Sequence, residues 1–423
     1  MHATRSTPHE PCGPRERPPH ATLPFRQFLL KIHSRCDLAC AYCYMYEAAD
    51  QSWRERPRRM DMETVRRTAR LIAEHAVRHE LATVYVVLHG GEPLLVGARH
   101  LEATLRVLAD CLPPAVELRV TLQTNGVRLA EDPALLPVLD RYGVRLGISL
   151  DGPAAVHDRH RRRPDGRGSH AAVGRSLRLL TGGPYRRLFA GLLCVVDTDA
   201  DPVDTYEALL AFAPPRLDLL LPHGTWGTPP PGLEGRTSPP DEPPVLAALG
   251  RSVPYGDWLC AVFDRWYDAP RRETGVRLFE EIMTLLLGGT SRSEAVGLTP
   301  VDLVVVETDG AIDQADSLKV SYPGAPATGL DVFHHTFADA AAHPAFQARQ
   351  RGLAGLGPVC RSCPRVRVCG GGLYAHRYDP SRTPVFSAPS VYCADLAVLV
   401  DHIAGRLRRD VTELVAPRGD AAR

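Results

Sequence analysis

Lysine is nearly missing from this 423-residue chain: of its 50 basic residues only Lys31 and Lys319 are lysine, the rest being arginine. That bias alone points to no site. Excess charge is missing too, since 50 basic and 49 acidic residues leave a formal net charge of +1. A balanced chain has no electrostatic reason to seek nucleic acid or an anionic membrane. No apolar run approaches the ~18 residues that cross a bilayer. The first two dozen residues are polar, carry six prolines and lack the apolar core of a secretory signal. These absences predict a cytoplasmic protein with a disordered lead over residues 1–24. Apolar residues at 44% and charged residues at 23% are ordinary for a globular chain, and the length allows roughly two to three domains or one barrel with additions.

Cysteine is what the chain has in quantity and in pattern. Seven of its 11 cysteines fall in two groups, Cys36, Cys40, Cys43 and Cys360, Cys363, Cys369, Cys393, while Cys12, Cys111, Cys194 and Cys260 stand singly. Clustered thiols without a signal peptide suggest metal in a reducing compartment. Three thiolates as close as Cys36, Cys40 and Cys43 can hold three irons of a cubane. A [4Fe–4S] cluster takes four ligands, and no fourth cysteine lies nearby, so one iron is left open for a small molecule. Zinc is the plain alternative. Its ligands usually come as separated pairs, and a three-residue gap followed by a two-residue gap departs from that habit.

From Phe25 to Leu221 short β-branched runs alternate with segments of helical period, which is βα repetition. Strands are expected at Phe25–Ile32, Val84–Leu88, Val116–Gln123, Arg145–Leu150, Leu188–Val196 and Leu217–Leu221, with helices between them such as Met62–His79 and His170–Leu180. The fold class is therefore α/β, an open (β/α)6 partial barrel over residues 25–221 with chemical motifs just after its strands. A proline-rich linker follows (222–254), with eight prolines between Pro222 and Pro244, then a helical bridge (255–300). A C-terminal domain (301–423) begins with a hairpin turning at Asp309-Gly310 and ends in a helix from about Tyr392 to Leu414.

His89-Gly90-Gly91-Glu92-Pro93 follows the second strand. Its glycines let backbone approach a ligand, and its carboxylate suits an ammonium. Gln123–Gly126 and Ser149–Pro153 end the next two strands and, taken alone, are turn chemistry. The cysteine spacing, Tyr42 before the third cysteine and the Gly-Gly-Glu-Pro loop together resemble the radical S-adenosylmethionine (SAM) enzymes. The resemblance implies a [4Fe–4S] cluster on Cys36, Cys40 and Cys43 whose open iron chelates SAM and, once reduced, generates a 5′-deoxyadenosyl radical. It assigns Gly90, Gly91 and Glu92 to the methionine ammonium, Tyr42, Asn125, Ser149 and Asp151 to the cofactor pocket, and Arg161 to a carboxylate clamp.

Cys360, Cys363, Cys369 and Cys393 could by themselves bind zinc. With the barrel motifs they resemble the SPASM domain of peptide-modifying radical SAM enzymes, which carries auxiliary iron–sulfur clusters on seven cysteines. Ala315 and Leu373 stand at two of those positions, so the resemblance implies one auxiliary [4Fe–4S] cluster, with Gly370, Gly371 and Gly372 letting N–H groups approach sulfur. Glu307–Gly310, Asp316–Lys319, Cys369–Tyr378 and Pro389–Leu396 narrow the likeness to FxsB-type maturases, over Phe25 to Leu407. That implies a ribosomal precursor peptide as substrate, a flavodoxin- or ferredoxin-type reductant, and a three-residue cyclophane joining an aromatic ring to the β-carbon of a residue two positions on. Glu307 and Asp309 are candidates for the base. No leader-binding module before Phe25 and no fused hydrolase-like or hydroxylase-like extension is expected. The rival enzymatic reading is thioether formation or side-chain oxidation. The rival of another class is a non-catalytic iron–sulfur electron carrier, against which the Gly-Gly-Glu-Pro loop argues.

Overall fold

The computed structural model describes residues 23–244 and 252–415; most of the expected disordered lead, with Cys12, part of the proline-rich segment and the last eight residues lie outside the described residues. The strands are β1 (Gln27–His33), β2 (Ala39–Cys40), β3 (Thr83–Gly90), β4 (Glu117–Thr124), β5 (Arg145–Ser149), β6 (Arg161–Arg162), β7 (Phe189–Val195), β8 (Arg216–Leu220), β9 (Gly275–Val276), β10 (Leu303–Val306), β11 (Ala311–Asp313) and β12 (Ala327–Asp331). β1, β3, β4, β5, β7 and β8 pair in parallel in that order, with helices crossing between them. These are the six expected strands, each within one or two residues of its expected span.

Alternation divides each strand between two faces. Phe28, Leu30 and Ile32 of β1 and Val84, Val86 and Leu88 of β3 are wholly buried, whereas Leu29, Val87 and His89 line the barrel interior. The helix Met62–Arg78 closes the outer face. Asp61 caps it by accepting the Thr64 N–H, and Val65, Ala69, Ile72 and Ala76 form its buried stripe. Burying each Val or Ile contributes about 1.5–3 kcal/mol.

The sheet continues where periodicity cannot show it. β9 pairs in parallel with β8, and β10 in parallel with β1, so the hairpin expected to open the C-terminal domain extends the barrel sheet. The ten strands run β12-β11-β10-β1-β3-β4-β5-β7-β8-β9. After β11 the chain does not return toward Lys319 as a strand. It winds into a 3-10 helix at Asp316–Val320, and β12 pairs with β11 instead. Helices Pro254–Tyr267, Arg277–Leu286 and Cys393–Val415 follow the expected pattern, and the last packs on the first. Among the described residues no helix is long and apolar enough to cross a membrane.

Candidate active site

Cys36, Cys40 and Cys43 follow β1 in a loop anchored from three sides. The Gly91 N–H donates to the His33 carbonyl at 2.9 Å and the Glu92 N–H to the Arg35 carbonyl at 3.0 Å, so the Gly-Gly-Glu loop after β3 holds the entrance of the cysteine loop. A side chain at position 91 has no room: its Cβ would stand 1.8 Å from the Tyr46 hydroxyl and 2.5 Å from the Arg35 carbonyl. On another side β2 pairs antiparallel with β6, placing Cys40 opposite Arg161. From the end of β4, Asn125 donates to Asp37 at 2.8 Å and approaches the Cys36 sulfur at 3.7 Å.

The three thiols line one cavity of about 970 Å³ with Gly90, Gly91, Asn125, Ser149, Tyr42 and Arg161. The Tyr42 hydroxyl donates to Asp151 Oδ2 and accepts from Arg161 at 3.0 Å. Asp151 lies behind this wall, its second oxygen accepting the Val195 N–H at 3.0 Å. Burial raises the Asp151 carboxyl although Arg161 opposes it, and burial also raises the Tyr42 phenol, which keeps its proton. Arg161 is 8% exposed and its Nε has no partner. It is a buried cation at the cavity wall, matched to a carboxylate.

Glu92, expected at the methionine ammonium, does not line the cavity. It is fully buried behind the wall, with Oε1 accepting from Leu94 N–H at 2.9 Å and the Thr124 hydroxyl at 2.8 Å, and Oε2 from Asn125 N–H at 2.8 Å. Burial lifts its carboxyl to about 7. Glu92 thus fastens the end of β3 to the end of β4, while Gly90 and Gly91 present backbone to the cavity.

Burial pushes the thiols of Cys36, Cys40 and Cys43 up, Cys40 to about 11, and all three are free of disulfides. Thiolates in such a place need a cationic partner, which an iron–sulfur cluster supplies. The Leu38 N–H, 3.4 Å from the Cys36 sulfur, is the kind of donor that tunes one. These residues fit that group.

The second group gathers as well. Cys360, Cys363, Cys369 and Cys393 line one small apolar pocket closed by Pro243, Val359 and Val366. Gly370, Gly371 and Gly372 have φ of 62°, 80° and 69°, a left-handed run that only glycine adopts cheaply. It turns the Gly372 N–H to the Cys369 carbonyl at 3.0 Å, while the carbonyls of Gly370, Gly371 and Gly372 turn to Arg377, which donates to all three at 2.6–3.2 Å. Among the described residues no group of three or more His, Cys, Asp or Glu side chains is drawn together tightly enough to hold one metal ion.

Glu307 and Asp309 do not reach the cavity. Glu307 is buried 3.7 Å from Lys319 Nζ and 3.8 Å from Arg56, and Asp309 is exposed on the hairpin turn, 2.5 Å from Arg56. What sequence reasoning missed is a pair of histidines in the cavity wall. His223, directly after β8, and His376, inside the Cys369–Tyr378 motif, line the cavity with Leu373 and Leu396. The position of His223 after a strand was the available signal.

Residues 30–207 match the model of the Radical SAM superfamily. The serine-type anaerobic sulfatase-maturating enzyme of Klebsiella aerogenes is 31% identical over 162 residues, 38% of this chain and 38% of the relative. The chain thus spans less than two-fifths of that relative's length. Native anSMEcpe with bound AdoMet and the Kp18Cys peptide superposes with a TM-score of 0.73 at 20% identity, over 92% of this chain and 99% of that one. Streptococcus suis SuiB bound to the precursor peptide SuiA gives 0.54 at 13% identity, over 88% and 76%. The α/β radical SAM fold therefore extends through most of the chain, C-terminal domain included.

Proposed function

We propose, with a radical SAM domain over residues 30–207 as the premise, that this chain modifies a ribosomally made peptide by joining an aromatic ring to the β-carbon of a nearby residue. The observation that carries the reading is the shared cavity. Cys36, Cys40, Cys43, Gly90, Gly91 and Arg161 line it together with Leu373, His376 and Leu396, which belong to the FxsB-like motifs. Its 970 Å³ leaves room for a cofactor and a peptide side chain together.

Cys36, Cys40 and Cys43 would hold a [4Fe–4S] cluster that binds SAM, and Cys360, Cys363, Cys369 and Cys393 an auxiliary one; when bound and reduced by a flavodoxin- or ferredoxin-type partner, these groups supply hydrogen-atom abstraction and an electron acceptor. Backbone at Gly90 and Gly91 would receive the methionine ammonium and Arg161 its carboxylate, while Asn125 and Ser149 line the remainder of the pocket. Tyr42 and Asp151 hold the Arg161 guanidinium in place. Leu29, Val87 and Leu193 give the cavity apolar wall. The thiol-rich sites suit a reducing cytoplasm.

The likeness to sulfatase-maturating enzymes supports a second reading, oxidation of one side chain of a protein or peptide. Anaerobically reconstituted protein, given SAM, dithionite and synthetic peptides encoded in the short reading frames beside its gene, separates them. The crosslink predicts a product lighter by one hydrogen pair, inert to hydrazine, with a β-deuterium delivered to 5′-deoxyadenosine. A hydrazine-trapped product of the same mass assigns the oxidation, and a link through sulfur assigns a thioether. Replacing Cys36, Cys40 and Cys43 together by alanine should abolish 5′-deoxyadenosine; its continued formation would overturn the cluster assignment.

A further inference from the structure

Resting on the peptide-modifying reading, we propose that His223 and His376 form a two-imidazole relay that takes the proton leaving the substrate and passes it out of the cavity. His223 opens the proline-rich segment after β8, and His376 lies in the 3-10 helix Tyr374–Arg377 of the C-terminal domain. Their rings meet across the junction of the two halves, His223 Nδ1 at 3.0 Å from His376 Nε2. Both line the 970 Å³ cavity, and His223 also lines a second cavity of about 700 Å³ bounded by Pro229, Pro230 and Asp197. His223 thus stands in the wall shared by two spaces, with His376 against it on the side of the first.

Each ring packs on an aromatic neighbour. His223 lies edge-on to Tyr44 with centroids 4.7 Å apart, and His376 packs on Tyr392 at 5.0 Å. The Tyr392 hydroxyl donates to the carbonyl of Pro222, immediately before His223, at 2.6 Å. A nitrogen–nitrogen contact of 3.0 Å requires one proton between the two atoms. In the neutral pair the donating ring has a bare outer nitrogen, and the accepting ring carries N–H on its outer nitrogen. Protonating the bare nitrogen, shifting the shared proton and releasing the far one moves one proton through the wall and exchanges the two tautomers, which rotation of the rings restores before the next turnover.

The step balances. Abstraction sends the β-hydrogen, as an atom, to the 5′-carbon of the cofactor's adenosine. The β-carbon then bonds to the ring. The ring gives one electron to a one-electron acceptor of the iron–sulfur class and one proton to the imidazole pair, which restores its aromaticity. A ring that has lost an electron is a strong acid, so a weak base suffices. Burial keeps both imidazoles below their ordinary 6.5, His223 at about 4, hence neutral and ready to accept. The groups facing them are Tyr44 and Asp316 at His223, and Tyr392 and Arg377 at His376. Asp316 is itself held by Lys31 at 2.6 Å.

The test uses the reconstituted holoenzyme with SAM, dithionite and the same synthetic peptides. In His376→Gln and His223→Gln the yield of crosslinked peptide per 5′-deoxyadenosine should fall about a hundredfold, the usual scale of lost proton transfer. Parallel losses of both products, or an unchanged ratio, would overturn the relay. Exchange of the histidine C2 protons in the holoenzyme without peptide, followed by mass spectrometry against pH, gives an answer that does not require the variants to fold. The relay requires midpoints for His223 and His376 below 6.5, and midpoints at 6.5 for both would overturn it. If the parent modifies none of the peptides, the functional reading falls, while the exchange midpoints still decide whether the neutral pair exists.

Discussion

Glu92 serves the site from behind, and its substitution separates support from contact. Glu92→Gln keeps the acceptor for Leu94 and Thr124 but turns an N–H donor toward the Asn125 N–H, leaving buried donors unmatched at about 1–3 kcal/mol. The expected result is a lower urea midpoint and weaker cluster retention. A loss of SAM affinity with stability untouched would return Glu92 to direct contact. His75 is the corresponding case for pH. It is buried among Phe25, Phe28 and Phe337, with Nε2 3.2 Å from the Phe25 carbonyl, and burial together with His79 lowers it to about 4. The unfolded chain takes a proton as pH falls through 6.5, and the folded chain refuses it until about 4. The stability that His75 contributes is whole above 6.5 and lost as pH falls toward 4, at about 1.4 kcal/mol per unit. His75→Gln keeps a donor for Phe25 and does not titrate, so its urea midpoint should fall less steeply over that window than the parent's. Equal slopes would remove His75 from the acid response.

At the scale of elements, the turn from Cys369 to Gly372 decides whether the second group of thiols can act together. Its left-handed backbone turns the Gly372 N–H back to the Cys369 carbonyl and the three glycine carbonyls to Arg377, which fixes Cys369 beside the other thiols. Gly370 packs so closely that a Cβ would stand 1.7 Å from the Gly297 carbonyl. Gly370→Ala should therefore lower the iron of reconstituted protein from about eight per chain to about four, the content of the barrel cluster alone, with 5′-deoxyadenosine still formed. Full iron in the variant, or stoichiometric zinc in the parent, would refute an iron–sulfur role for these cysteines. The short pairing of β2 with β6 is the same kind of device on the barrel side, since it sets Arg161 against the cysteine loop.

Across the whole molecule, the two lysines of the chain are both buried and both tie distant segments. Lys31 in β1 meets Asp316, and Lys319 meets Asp50 at 2.9 Å beyond the cysteine loop, with Glu307 at 3.7 Å. Asp50 also accepts the Gly324 N–H at 2.8 Å. These pairs clamp the segment after β11 to the barrel rim. Removing one partner of a buried pair leaves an unmatched charge at about 3–5 kcal/mol. Lys319→Met should lose stability on that scale in urea unfolding and release the segment to hydrogen exchange. A change below about 1 kcal/mol would show that the pair is as dispensable as a surface ion pair.

The barrel and the two thiol groups were legible in the amino-acid sequence because both are local properties: strand alternation repeats every two residues and cysteine spacing spans a few. β9, two residues long, has no period to detect, and β10 reads as half of a hairpin until β1 is seen beside it. Glu307 and Asp309 looked available because a sequence does not show that Arg56, far along the chain, holds both and that Lys319 folds back on Glu307. His223 and His376, 153 residues apart, meet only once both halves are packed. Local pattern determined which elements and which ligand groups form. Tertiary packing decided which polar groups are consumed by partners and which are left facing the cavity, because buried charges and hydrogen bonds are satisfied between segments that no short window contains.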